Sequence, residues 1–90
     1  RMNEVLKREL GTAGIAFTET TKQMISADAY RTPEFWLNVE TELYCQFQDI
    51  LVKHKDNHTF EEMVFYSLLM GRAAHETIEE LHRFDKENKK

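Results

Sequence analysis

The chain has little of what a turn-rich or disulfide-bonded protein needs. It contains one proline, three glycines and one cysteine in 90 residues. So few glycines and prolines exclude an all-β protein, which needs many turns. No apolar run approaches the length of a membrane span, so we expect no membrane contact. Because the single Cys45 cannot form an internal disulfide, we expect a reducing compartment and place the protein in the cytoplasm.

A basic surface is also absent. The net charge is −4, from 12 Lys and Arg against 16 Asp and Glu, and no third of the chain is strongly basic. Nucleic-acid binding therefore lacks its electrostatic footprint, and we expect no direct contact with DNA or RNA. Apolar residues are plentiful: 41% of the chain is hydrophobic, with one Trp, three Tyr and six Phe. This content predicts a single folded domain over residues 1–90.

Two helix starts can be recognised in the sequence. Thr59 followed three residues later by Glu62 forms a capping box, in which each side chain binds the other residue's backbone N–H. Thr32, Pro33 and Glu34 supply a second start, with an N-cap, a proline at the first helical position and an acid at the positive end of the helix dipole. These starts, with a break at residues 28–31, predict helices at about residues 2–27, 33–55 and 60–85. Similar lengths and short connections predict an all-α protein, a three-helix antiparallel up-down-up bundle.

Apolar residues recur at spacings of three and four along each predicted helix, which predicts one buried face on each. In the first helix this face is Met2, Leu6, Leu10, Ala13, Phe17 and Met24, with Thr20 filling the gap. In the second helix it is Trp36, Val39, Leu43, Phe47 and Ile50. In the third helix it is Phe60, Met63, Val64, Ser67, Gly71, Ala74, Ile78 and Leu81. Gly11 and Gly14 predict a close approach of another helix to the first one.

The third helix carries more apolar residues than one buried face needs. Phe65 and Leu69 lie one turn apart and are predicted to point away from the main face, and Tyr66 lies on a further side. A helix that is apolar on several sides is normally covered on those sides. Since contiguous exposed apolar patches mark contact sites, we predict that Phe65, Tyr66 and Leu69 bind another protein or a second copy of this chain.

An alternative site combines a carboxylate with histidines. Glu40 is predicted to lie on the apolar face of the second helix, where an unpaired carboxylate is costly. His75, Glu79 and His82 follow one side of the third helix at i, i+4 and i+7, and residues 79–82 contain the Glu-x-x-His spacing of di-iron bundles. Such a site needs a second Glu-x-x-His, which this chain could supply only as a dimer. The alternative function is therefore binding of a small ligand or metal through these four residues.

Catalytic patterns are otherwise missing. Neither serine lies in a Gly-x-Ser-x-Gly motif, and Cys45 is predicted on the outer side of the second helix without a basic neighbour. We therefore expect a non-enzymatic protein that needs no cofactor and acts by binding another protein or itself.

The sequence of residues 9–19, ELGTAGIAFTE, resembles the first helix of the theta subunit of bacterial DNA polymerase III and its phage-encoded homologue. That family carries an acid-Leu pair, Ala-Gly, a β-branched residue, Ala, an aromatic and a Glu at the same spacing. Residues 27–29, 33–34 and 42–43 also fall near similar positions of the family when the alignment includes a two-residue gap. The family's apolar-Pro-Val-Ile linker is replaced here by residues 23–26, QMIS, and the capped helix from Thr59 has no family counterpart. The resemblance implies a small helical, non-catalytic accessory subunit that binds the proofreading exonuclease, with Leu10, Ala13 and Phe17 as packing positions.

Overall fold

The structure is a computed structural model that describes residues 2–27 and 31–88. Three long helices account for most of these residues: α1 spans Met2–Ala27, α2 spans Pro33–Lys53 and α3 spans Phe60–Glu87. A short 3-10 turn, Lys55–Asn57, joins α2 to α3, and the described ranges contain no strand. The predicted all-α class with three helices is confirmed. Most of the predicted break, residues 28–30, lies outside the described residues.

Local hydrogen bonds start α2 and α3 where the sequence predicted. The Thr32 hydroxyl accepts the backbone N–H of Phe35 at 3.1 Å, and Pro33 occupies the first turn of α2. At the start of α3 the Glu62 backbone N–H donates to the Thr59 hydroxyl at 3.2 Å, and the Thr59 N–H donates to the Glu62 carboxylate at 2.8 Å. The backbone hydrogen bond from Thr59 lowers the pKa of Glu62. The capping box is therefore present and holds the first turn of α3 rigidly.

All three helices pack against one another around one apolar core. Ion pairs also connect the helices. Glu9, near the start of α1, contacts Lys53 at the end of α2. Lys22, late in α1, contacts Glu80, which lies late in α3. The Trp36 ring, near the start of α2, stacks on His82, late in α3. The predicted up-down-up arrangement is compatible with these contacts. The buried apolar residues are Leu6, Leu10, Phe17, Ile25, Val39, Leu43, Phe47, Leu51, Tyr66, Met70, Ala74, Ile78 and Leu81.

Two predicted faces need correction. In α1 the inward positions after Phe17 are Thr21 and Ile25, whereas Met24 is half-exposed. In the first half of α3, Tyr66 and Met70 point into the core, whereas Phe60 and Val64 are exposed together with Ser67. Both the predicted and the observed positions lead at helical spacing into the buried residues Ala74 and Ile78. The spacing alone therefore does not choose between the two faces. In the middle of α3, Tyr66 and Met70 offer more apolar area for burial than Ser67 and Gly71, which favours the observed rotation there and leaves Phe60 and Val64 exposed.

Of the two glycines predicted to allow close helix approach, only Gly14 does so. A methyl group at Gly14 would lie 3.4 Å from the Thr77 hydroxyl of α3 and 3.6 Å from the Phe47 ring of α2. Gly14 is thus the point where α1 contacts both other helices. At Gly11 nothing lies within 4 Å, so that glycine faces open space.

Candidate protein-binding surface

The first half of α3 exposes four large apolar side chains within nine residues. They are Phe60, Val64, Phe65 and Leu68, which are 83%, 47%, 50% and 69% exposed. Phe60, Val64 and Leu68 recur every four residues and so lie along one side of the helix, with Phe65 next to them. We call these four residues the α3 patch.

The α3 patch overlaps the predicted binding residues only in Phe65. Tyr66 is buried, and its hydroxyl lies 3.5 Å from Nδ1 of His58, so its predicted place on a binding surface is wrong. Leu69 is half-buried and packs against the core. Leu68 was missed although its spacing of four from Val64 is visible in the sequence. Phe60 and Val64 were assigned to the core because the rotation of α3 was predicted incorrectly.

Other exposed apolar side chains are scattered singly over α1 and α2. They are Ile15, Met24, Leu37, Tyr44 and Val52. Single exposed apolar residues are normal on protein surfaces, whereas contiguous patches mark contact sites. The density of apolar groups therefore distinguishes α3 from the other two helices.

Of the four residues predicted for the alternative site, His75 and Glu79 are in contact within one chain. Glu40 is exposed, so its carboxylate reaches water, which avoids the cost of an unpaired buried charge. His75 and Glu79 are 3.5 Å apart and largely exposed, while the exposed His82 stacks on Trp36 with ring centroids 3.9 Å apart. Within the ranges that the structure describes, no group of three or more His, Cys, Asp or Glu residues is arranged to hold a metal ion.

A half-open groove of about 470 Å³ runs between α1 and α2. Its apolar lining comes from Phe17, Met24, Phe35 and Val39, and polar side chains such as Glu42 lie along it. The sequence did not predict this groove, because it depends on how far apart the two helices pack.

A polar cluster ties the start of α1 to the end of α2. Nε2 of the mostly buried His54 lies 2.6 Å from one Glu9 carboxylate oxygen, and Lys53 donates to the other at 3.1 Å. The hydrogen bond with His54, and then that with Lys53, lowers the pKa of Glu9. His54 also ends α2, because its backbone N–H donates to the carbonyls of Leu51 and Val52. This cluster stabilises the contact between α1 and α2.

The lowered pKa of Glu9 predicts a pH-dependent contribution to stability. A carboxyl group with a lowered folded-state pKa stabilises the fold above its unfolded value of 4.5, and this contribution is lost as pH falls through the folded-state pKa. We expect Glu9→Gln to destabilise the protein by about 1 kcal/mol at neutral pH, a small value because Glu9 is partly exposed. Urea unfolding from pH 7 to pH 3 should show this difference shrinking, with the exposed Glu19→Gln as control. A difference that stays constant down to pH 3 contradicts the prediction.

Comparison of the chain with protein families, with characterised proteins and with solved structures found no match. Among the described residues, no helix combines the length and apolar character needed to cross a membrane.

Proposed function

We propose that this protein is a non-enzymatic binding protein that associates with another protein or with a second copy of this chain through the α3 patch. The observation that carries this proposal is the concentration of four large, exposed apolar side chains in nine residues of one helix. Covering such groups removes apolar area from water, which is the main favourable term in protein association.

The α3 patch lies on a rigid support. The capping box holds the first turn of α3, and Tyr66 and Met70 anchor the same turns to the core from the opposite side. A surface that is already ordered loses little conformational entropy on binding. Phe60 and Phe65 also belong to the aromatic class that is enriched in interface cores.

We further infer that the helices form an antiparallel up-down-up bundle in which the α3 patch points away from α1 and α2. The contacts of Glu9 with Lys53 and of Lys22 with Glu80 support this arrangement. A cytoplasmic location is part of the proposal, since Cys45 is free and exposed, which suits a reducing compartment.

The resemblance to the theta family supports the same class of function, a small accessory subunit whose partner is a proofreading exonuclease. Of the matching residues, Leu10 and Phe17 are buried and Ala13 packs against the core, as expected for packing positions. The α3 patch lies outside the matching segments, so the resemblance supports only the accessory role, and the α3 patch is the proposed contact surface.

A second candidate function is binding of a small apolar ligand in the groove between α1 and α2. The groove has the volume of a ligand site and an apolar lining. It is a different location from Glu40, His75, Glu79 and His82, the residues that the sequence predicted for the alternative function. We rank it second because the groove is half-open, whereas ligand sites cover most of the ligand surface.

The test of the proposed function is the double substitution Phe65→Glu/Leu68→Glu, which places two charges in the α3 patch. We expect the variant to bind its partner at least about 100-fold more weakly, because an interface would have to bury two unpaired carboxylates. The matched control is Ile15→Glu/Leu37→Glu, which changes two apolar residues outside α3 that are at least as exposed as Phe65.

The readouts are the solution mass by light scattering and the proteins captured by the tagged chain from its own cells. Circular dichroism should show that both variants stay folded, since exposed positions change stability by only about 0.5 kcal/mol. The proposal is wrong if the wild type, the α3 patch variant and the control all have the same mass and retain the same proteins.

A further inference from the structure

We propose that the partner of the α3 patch is a second copy of this chain, with the two α3 helices packed antiparallel. This inference rests on the proposed function, since it names the occupant of the same surface. The observation behind it is a self-complementary stripe of four exposed residues on α3, namely Glu61, Phe65, Leu68 and Arg72.

These four residues lie on one face of the helix. Their spacing of i, i+4, i+7 and i+11 follows the 3.6-residue period, so they form one stripe along about three turns. The buried Tyr66 and Met70 occupy the other side of the same turns, so this stripe faces away from the core. Two apolar side chains in the centre are thus flanked by an acid at one end and a base at the other.

The residue positions of the stripe are symmetric about its midpoint. The point between residues 66 and 67 is the midpoint of Glu61 and Arg72, and it is also the midpoint of Phe65 and Leu68. A two-fold axis through this point places Glu61 opposite Arg72 of the second copy and Phe65 opposite Leu68 of the second copy. In a two-fold interface each contact occurs twice, so four apolar side chains are enclosed between two ion pairs.

Charge selects the antiparallel orientation. A parallel arrangement would place Glu61 against Glu61 and Arg72 against Arg72, which is repulsive. Neither side chain forms a hydrogen bond or an ion pair within the described part of the chain, so both are available to a second copy. Lys22, Glu80, Lys53 and Glu9, by contrast, are already paired within the chain.

The size of the contact sets its strength. One helix pair over about three turns buries less than the area of a standard stable interface, even with Phe60 and Val64 along one side. We therefore expect a weak, reversible dimer with a Kd on the order of 10–100 µM, so association must be measured at protein concentrations that reach this range.

The test uses charge reversal at the two ends of the stripe. Sedimentation equilibrium of the wild type should show a monomer–dimer equilibrium. Glu61→Arg alone brings two arginines together and Arg72→Glu alone brings two glutamates together, so each variant should self-associate at least about tenfold more weakly. The combined variant Glu61→Arg/Arg72→Glu restores both pairs and should dimerise as the wild type does.

Mixing the two single variants gives a control that loss of folding cannot imitate. One chain then carries arginine at both positions and the other carries glutamate at both, so the mixture should form a heterodimer more tightly than either variant self-associates alone. A wild type that dimerises while both charge reversals leave its Kd unchanged overturns the antiparallel contact.

If the wild type is monomeric at millimolar concentration, the proposal that the partner is a second copy of this chain is wrong. In that case the proposed function survives only if Phe65→Glu/Leu68→Glu still loses a captured protein that the wild type and the Ile15→Glu/Leu37→Glu control retain. The failure of this inference is thus distinct from the failure of the proposed function.

Discussion

Replacing Asp85 by alanine is expected to destabilise the protein by about 3–5 kcal/mol, because it breaks a buried ion pair with the Arg31 guanidinium. Nε of Arg31 donates to Oδ1 of Asp85 at 2.6 Å, and Nη2 contacts the same carboxylate oxygen. Nη1 of Arg31 donates to the Ile25 carbonyl at 3.0 Å, at the end of α1. The Arg31 and Asp85 side chains are only 3% and 9% exposed. Asp85 thus fixes the residues just before α2 against the end of α3.

The matched control for Asp85→Ala is Glu80→Ala, one turn earlier on the same helix. It breaks the pair between Lys22 and Glu80, which are 3.0 Å apart but 30% and 49% exposed, so the expected cost is below about 1 kcal/mol. Urea unfolding at neutral pH measures both values. Equal costs for the two variants would show that the Arg31–Asp85 pair contributes no more than a surface ion pair.

Phe47→Ala is expected to cost a further large amount, about 3–5 kcal/mol, by opening a cavity in the core. Phe47 is fully buried, and its ring lies where α1 and α2 meet, 3.6 Å from the position of a methyl group at Gly14. At Gly14, α1 already packs closely against the Phe47 ring. The neighbouring helices therefore cannot fill the space left by the ring unless α1 moves. The cost is therefore expected near the upper end of the range.

Phe60→Ala is the control for Phe47→Ala, since it removes the same side chain from a position that is 83% exposed. We expect its effect on the free energy of unfolding to stay within about 0.5 kcal/mol. Denaturant unfolding of the two variants side by side checks the prediction. A cost below about 1 kcal/mol for Phe47→Ala would mean that the core repacks around the lost ring.

Small domains have a total stability of only about 5–15 kcal/mol, so both Phe47→Ala and Asp85→Ala should be partly unfolded at elevated temperature.

The sequence predicted only part of the candidate surface, because exposure on α3 depends on how the helix is rotated. Phe65 was found because α3 has more apolar residues than one face can bury. Leu68, Phe60 and Val64 were not assigned to the surface, since their exposure depends on the rotation of α3 about its axis. The same rotation buries Tyr66, which the sequence placed outside.

The sequence by itself determined where α2 and α3 start and that the fold is all-α. The side chains of Thr32 and Thr59 each accept a backbone N–H three residues away, so their effect can be predicted without knowing the rest of the molecule. Only the tertiary structure decided which sides of α3 face inward, that Glu40 reaches water, and that Arg31 meets Asp85. These outcomes depend on contacts between residues that lie far apart in the chain, where burial of the larger apolar side chains and pairing of buried charge select one arrangement among several that share the same period.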